Sequence, residues 1–158
     1  MSSAVNLPDI EASEWLNTEN ALSLADFRGR VVAVEVFQML CPGCVSQGLP
    51  QAQRIRQTFR PEDVMVIGLH SVFEHHEAMT PIALRAFLHE YRIRFPVAVD
   101  VPGDHAMPRT MQVWRLEGTP TLMLFDRKGG LRARHFGQIP DLAIGAEIMA
   151  LIMEDAPA

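Results

Sequence analysis

The chain has 158 residues, 48% hydrophobic and 21% charged, with a formal charge of −5 from 14 basic and 19 acidic side chains. This balance excludes a disordered chain and a membrane-spanning one, and it leaves no basic footprint for nucleic acid. Both cysteines lie in Cys41-Pro42-Gly43-Cys44, which excludes a multi-bridge secreted scaffold and a four-cysteine zinc site.

The length predicts one domain over residues 1–158, with its core from about residue 15 to residue 154. The N-terminal stretch has no basic n-region, no apolar run and no small-residue cleavage site. The chain as written is therefore expected in the cytoplasm, or in the periplasm if a leader has been trimmed. The first strong element is Val31–Phe37, a β-branched apolar run typical of a strand covered on both faces. A helix is predicted from Pro42 to about Phe59, ended by Pro61. Val64–His70 reads as a second buried strand and Ser71–Thr80 as an irregular stretch. Thr80-Pro81 supplies an N-cap and first helical position for a helix to about Arg92.

Phe95–Asp100 is a short predicted strand, and a short helix over Ala106–Leu116 has Pro108 in its first turn. Thr121–Phe125 and Leu131–Phe136 flank the turn Asp126-Arg127-Lys128-Gly129-Gly130, which predicts a hairpin. A last helix is expected from about Asp141 to Glu154, with Leu142, Ile148, Leu151 and Ile152 on its buried side. No repeat or linker interrupts this order. Strands alternating with helices and closed by a hairpin give an α/β fold, a mixed sheet with helices on both faces.

Chemistry concentrates where the first strong strand meets the following helix. A thiol at Cys41 faces the unpaired N–H groups and positive dipole end of that helix, which favours the thiolate, the reacting species. Cys44 lies one turn along the same face, so the two sulfurs can close and open a disulfide with little backbone movement. Cys41 then attacks a partner disulfide and Cys44 resolves the mixed disulfide. The alternatives for such a pair are a zinc half-site, needing further ligands from His, Asp or Glu, or two packing cysteines. Glu35 is the other anomaly, a carboxyl inside an apolar strand, where burial is expected to raise its pKa. An edge strand that lets the side chain reach solvent is the alternative.

The run Leu24–Val34, the Cys-Pro-Gly-Cys tetrad and Gly118-Thr119-Pro120-Thr121 together resemble the thioredoxin superfamily, in its TlpA/ResA-like, redoxin-type branch. The resemblance implies a thioredoxin-like core with two additions. Trp15-Leu16-Asn17 fits an N-terminal strand element, and Ser71–Asp100 fits an inserted helix-strand unit. It also implies a thiol-disulfide oxidoreductase acting on protein disulfides or dithiols, recharged by a thiol reductant or oxidant, with no cofactor or metal. The chain is expected to work as a monomer. By the same resemblance Pro120 is a cis-proline facing the tetrad, where an ordinary trans proline is the alternative. The Thr119 backbone pairs with a substrate strand, and Glu35 relays a proton for Cys44. Leu40, Pro42 and Gly43 complete the substrate-facing edge.

Three departures from the family pattern stand out. Leu40 replaces the tryptophan usual before the first cysteine, and the central dipeptide is Pro42-Gly43. The only lysine, Lys128, is in the hairpin turn, so Glu35 is left without the lysine that often accompanies this acid. A peroxiredoxin-like antioxidant role is an alternative from the related fold. Its Pro-x-x-x-Thr/Ser-x-x-Cys loop would need residues other than Val34 and Gln38 at those positions. Copper or zinc handling by the tetrad with a histidine is a third reading. His70, His75 and His76 beside Glu74 and Glu77 read as a solvated polar loop, with metal binding or a pH-sensitive wall of the substrate groove as the alternative. A redox-silent interaction module is a fourth. Met39, Met79, Met107 and Met111 read as core fillers or a soft groove, and Trp114 as packing beneath the Pro120 loop.

Overall fold

The computed structural model describes residues 3–154. Six strands, β1 (Ala12–Leu16), β2 (Val31–Phe37), β3 (Val64–His70), β4 (Val97–Asp100), β5 (Thr121–Phe125) and β6 (Leu131–Phe136), form one sheet in the order β1-β4-β3-β2-β5-β6. The strands β2, β3 and β4 run parallel, whereas β5 and β6 form an antiparallel hairpin paired to β2. The remaining edge, β1, pairs antiparallel with β4. Four helices accompany the sheet: α1 (Leu49–Thr58), α2 (Pro81–Glu90), α3 (Arg109–Val113) and α4 (Asp141–Ile152). Among the described residues no helix is long and apolar enough to cross a membrane.

All seven residues of β2 are buried, as a central strand covered on both faces requires. Successive side chains of a strand point to opposite faces, so this one strand feeds two cores. Val31, Ala33 and Phe37 join a cluster completed by Leu49, Ala52 and Ile55 of α1, Leu84 and Leu88 of α2, and Ile144, Ile148 and Leu151 of α4. Val32, Val34 and Val36 join the other cluster, with Phe27, Met111, Trp114 and Phe125. Glu35 has odd parity and therefore stands between Ala33 and Phe37 on the side of α1.

Several predicted boundaries move. The helix after the tetrad begins at Pro42 but carries a π-turn over Cys44–Gly48 before α1. The third helix shrinks to Arg109–Val113, because Pro108 sits at its N-cap in an extended conformation. The second does begin as its sequence signal indicates, with the Thr80 side chain accepting the Ala83 N–H. Leu142 is 91% exposed, contrary to the buried role expected of it. The buried stripe of α4 starts at Ile144 and recurs at Ile148 and Leu151, with Ile152 at its margin. At about 100° per residue, Leu142 falls on the opposite side from Ile144. Trp114 is fully buried, but it packs on Phe125, ring centroids 5.7 Å apart, and donates its indole N–H to the Pro8 carbonyl.

Candidate active site

β2 delivers the chain to the tetrad through Gln38-Met39-Leu40, where Gln38 and Met39 are tied by backbone hydrogen bonds. The Gln38 carbonyl accepts the Cys41 N–H at 3.2 Å. The Met39 N–H donates to Nε2 of His70 at 3.2 Å, and the His70 ring packs on Phe37 with centroids 5.1 Å apart. The helical turn beginning at Pro42 then aims backbone donors at the first sulfur. Cys44 N–H points to Cys41 Sγ at 3.3 Å. On its other side Cys41 Sγ lies 3.6 Å from the Thr119 carbonyl oxygen, to which the thiol donates.

Both cysteines are free thiols; Cys41 is half-buried and Cys44 is buried. Burial pushes the Cys44 thiol well up, and the adjoining Cys41 sulfur adds to the effect. Contacts with the Gln38 backbone and the Thr119 side chain oppose that rise without reversing it. A thiol in this state needs a base before it can act as a nucleophile. Glu35 is 2% exposed, and burial drives its carboxyl well above the ordinary carboxylate range, with the Cys41 charge adding to the shift. Its Oε1 has no hydrogen-bond partner among the described residues. Lys128 lies in the turn after β5, whereas Pro120 lies just before that strand, so the single lysine is at the wrong end to meet Glu35.

The Thr119–Pro120 peptide bond is cis. Pro120 packs close to the tetrad: a Cβ on Gly43 would stand 3.3 Å from Pro120 Cδ. Leu40 is 56% exposed beside Cys41, and Pro42 is exposed too, so this edge offers apolar surface to a partner. The structure thus brings Cys41, Cys44, Thr119, Pro120, Pro42 and Gly43 into one corner, with Glu35 below.

Two participants carried little signal in the sequence. Gln38 is buried; its Nε2 donates to Thr119 Oγ1 at 3.4 Å and its Oε1 accepts the Phe73 N–H at 3.1 Å. It therefore ties the end of β2 to both the Pro120 loop and the segment after β3. The only clue was a polar side chain directly after an apolar strand. Beside α1 lies a groove of about 500 Å3 whose lining includes Glu35, Gly48, Gln51, Pro120 and Leu122. No short motif announces a groove made by residues so far apart in the chain.

The histidines are not gathered into a site. His70 is buried at the end of β3, where desolvation lowers its pKa to about 4. His75 is exposed in a left-handed conformation, φ 49°, and His76 is exposed with Nε2 3.3 Å from the Ala106 carbonyl oxygen. Among the described residues no three His, Cys, Asp or Glu side chains are placed together to hold a metal ion. The methionines form no shared groove. Met39 and Met79 belong to one core cluster, while Met111, with Met107 at its margin, belongs to the other.

Comparison with known proteins places this geometry. The chain is 57% identical to a thioredoxin-like superfamily protein of known crystal structure, with a TM-score of 0.95 over 98% of this chain and 100% of that one. It is 52% identical to a thiol-disulfide isomerase from Corynebacterium glutamicum, with a TM-score of 0.92 over 96% of this chain and 98% of that one. It is also 28% identical over 124 residues to NHL repeat-containing protein 2 of Bos taurus, matching 77% of this chain but spanning only 16% of that longer protein. The sequence model of the AhpC/TSA family matches residues 4–134. The chain belongs to the AhpC/TSA family and has a thioredoxin-like fold.

Proposed function

We propose that this chain is a thiol-disulfide oxidoreductase that exchanges electrons with protein disulfides through Cys41 and Cys44. The observation that carries the reading is the environment of Cys41. Its half-buried sulfur lies between the Cys44 N–H, 3.3 Å away, and the Thr119 carbonyl before cis-Pro120. The likeness to a thiol-disulfide isomerase, 52% identical over nearly the whole chain, supports it.

In the reducing direction the Cys41 thiolate attacks one sulfur of the partner disulfide, forming a mixed disulfide and expelling the other sulfur as a thiolate. In its carboxylate form Glu35 takes the proton of the buried Cys44 thiol. The Cys44 thiolate then attacks Cys41 Sγ. The Cys41–Cys44 disulfide forms, the second partner thiol leaves, and two electrons have passed to the partner. An external dithiol must reduce the tetrad before the next cycle; run backwards, the same steps oxidise a partner. Thr119 holds an extended partner segment by its backbone, and Leu40, Pro42 and Gly43 form the surface against which it lies. The partners are protein dithiols and disulfides, and the chain works as a monomer.

Insulin reduction by dithiothreitol tests this reading. Cys41→Ser is expected to lose all stimulation of the reaction, and Cys44→Ser to accumulate mixed disulfides with the substrate. Full activity of Cys41→Ser would overturn the mechanism. Peroxide turnover is expected to be slow, because Val34 and Gln38 occupy positions where the peroxidase loop needs Pro and Thr or Ser. Rapid peroxide reduction without an added thiol partner would transfer the assignment to the peroxidase chemistry.

A further inference from the structure

The groove beside α1 has neither sulfur in its lining, yet Glu35 is part of it. Gly48 and Gln51 form its wall on the helical side, and Pro120 and Leu122 form the wall opposite. At about 30 Å3 per molecule of liquid water, a groove of about 500 Å3 has room for a continuous file of water. The charged side chains in its lining besides Glu35 are Arg54 and Asp141, paired with each other at 2.8 Å. On the tetrad side the titratable group that acts on Glu35 is Cys41.

Gly48 decides how the carboxyl sits. A Cβ there would stand 2.2 Å from Glu35 Oε1, the oxygen without a hydrogen-bond partner among the described residues, and 3.0 Å from Pro120 Cβ. Its backbone is ordinary right-handed helix, φ −61° and ψ −54°, so this glycine is not present for conformational freedom. Glycine inside a helix is unfavourable against alanine, and here the missing side chain leaves space for the carboxyl. The π-turn sets up the approach: the Leu49 N–H reaches back to the Cys44 carbonyl, a wider turn that carries Gly48 over β2.

We propose that Gly48 is a positioning residue whose missing side chain keeps the Glu35 carboxyl turned into the groove, and that the groove is the path by which Glu35 exchanges its proton with solvent. The inference rests on the proposed role of Glu35 towards Cys44. The Cys44 proton passes to the Glu35 carboxylate, the Cys44 thiolate attacks Cys41 Sγ and expels the partner thiolate, and the protonated carboxyl returns its proton to water in the groove. Proton traffic thus has its own door. A partner strand seated over Cys41 and Thr119 does not have to leave before Glu35 is reset.

The test follows release of a small thiol from a preformed mixed disulfide on Cys41 of the full chain across pH, together with carboxyl 13C titration of residue 35. Glu35→Gln is expected to slow release about 100-fold at neutral pH and to leave only the rise at higher pH where the Cys44 thiol itself ionises. Gly48→Ala is expected to slow release on the order of tenfold at neutral pH, with the Glu35 titration and the rising limb of release both moving to higher pH. In a Glu35→Ala background Gly48→Ala is expected to add nothing, since the methyl enters the vacated space. Should Gly48→Ala fail to fold, Glu35→Asp/Gly48→Ala, with an acid one methylene shorter, is expected to recover both the fold and pH-dependent release. Slow release in Glu35→Gln with an unmoved profile in Gly48→Ala would overturn the inference alone. So would equal slowing by Gly48→Ala in the Glu35→Ala background, or a double variant that does not fold. Unimpaired Glu35→Gln would remove the role of Glu35 and the inference with it.

Discussion

Glu35 and His70 are two buried ionisable groups on neighbouring strands, and burial drives both towards their neutral forms from opposite directions. Glu35 on β2 is pushed up, and His70 on β3 is pushed down to about 4. They pair with adjoining register positions, Glu35 opposite Gly68 and Phe37 opposite His70. Their neighbours separate their roles. His70 uses Nε2 to accept the Met39 N–H, so its neutral form holds the loop leading to Cys41. Glu35 leaves Oε1 without a hydrogen-bond partner among the described residues, with the Cys41 sulfur acting on its charge. A satisfied buried group supports structure, whereas an unsatisfied one beside a nucleophile is poised to move a proton.

The contrast can be broken most directly at Glu35. Glu35→Gln is isosteric and cannot ionise, so it is expected to slow the Cys44 step by about 100-fold, the lower end of the range of general acid–base catalysis. Single-turnover decay of the mixed disulfide measures this, and decay at the wild-type rate would place Glu35 among the merely buried groups.

The second effect is a pair of opposite pH slopes. His70 titrates at about 4 when folded and near 6.5 when unfolded, so the unfolded chain binds the extra proton between those values. Its contribution to stability is complete above about pH 6.5 and is lost as pH falls to about 4, a loss of about 3 kcal/mol. Glu35 has the reverse sign. Its raised folded pKa makes the unfolded chain ionise first, so stability falls as pH rises above the ordinary 4.5. Urea unfolding at several pH values is expected to show a lost acid slope in His70→Phe. Glu35→Gln is expected to gain on wild type as pH rises. Parallel curves for all three proteins would remove burial as the cause of both shifts.

At fixed neutral pH, His70→Phe also leaves the buried Met39 N–H without its acceptor, which is expected to cost about 1–3 kcal/mol. The smallest effects belong to His75 and His76, which are exposed. Their alanine variants are expected to change stability by less than about 0.5 kcal/mol and to leave thiol exchange unaltered. A loss of exchange in either would return the segment after β3 to the active corner.

The histidine segment also shows where sequence reading reached its limit. His70, His75 and His76 stand close together in the chain, and a solvated polar loop describes His75 and His76 but not the buried His70. The end of β3 turns His70 into the core and leaves His75 and His76 on the surface. Leu142 shows a related limit: it is as apolar as its neighbours, and only packing against the sheet reveals which side of α4 is inside.

What the sequence determined by itself is the local framework. The β-branched run of β2, the Thr80-Pro81 start of α2, the glycine-rich hairpin turn and the tetrad at a strand-helix junction all follow from propensity and spacing over a few residues. The parity of β2 even puts Glu35 on the same side as α1 once the strand is known. Tertiary structure alone decided which distant groups meet: Thr119 against Cys41, Gln38 between two loops, His70 beneath Met39, and Gly48 against Glu35. Those contacts join residues from 13 to 81 positions apart. Their formation depends on how the sheet orders its strands and on the space that side chains leave, which no local pattern records.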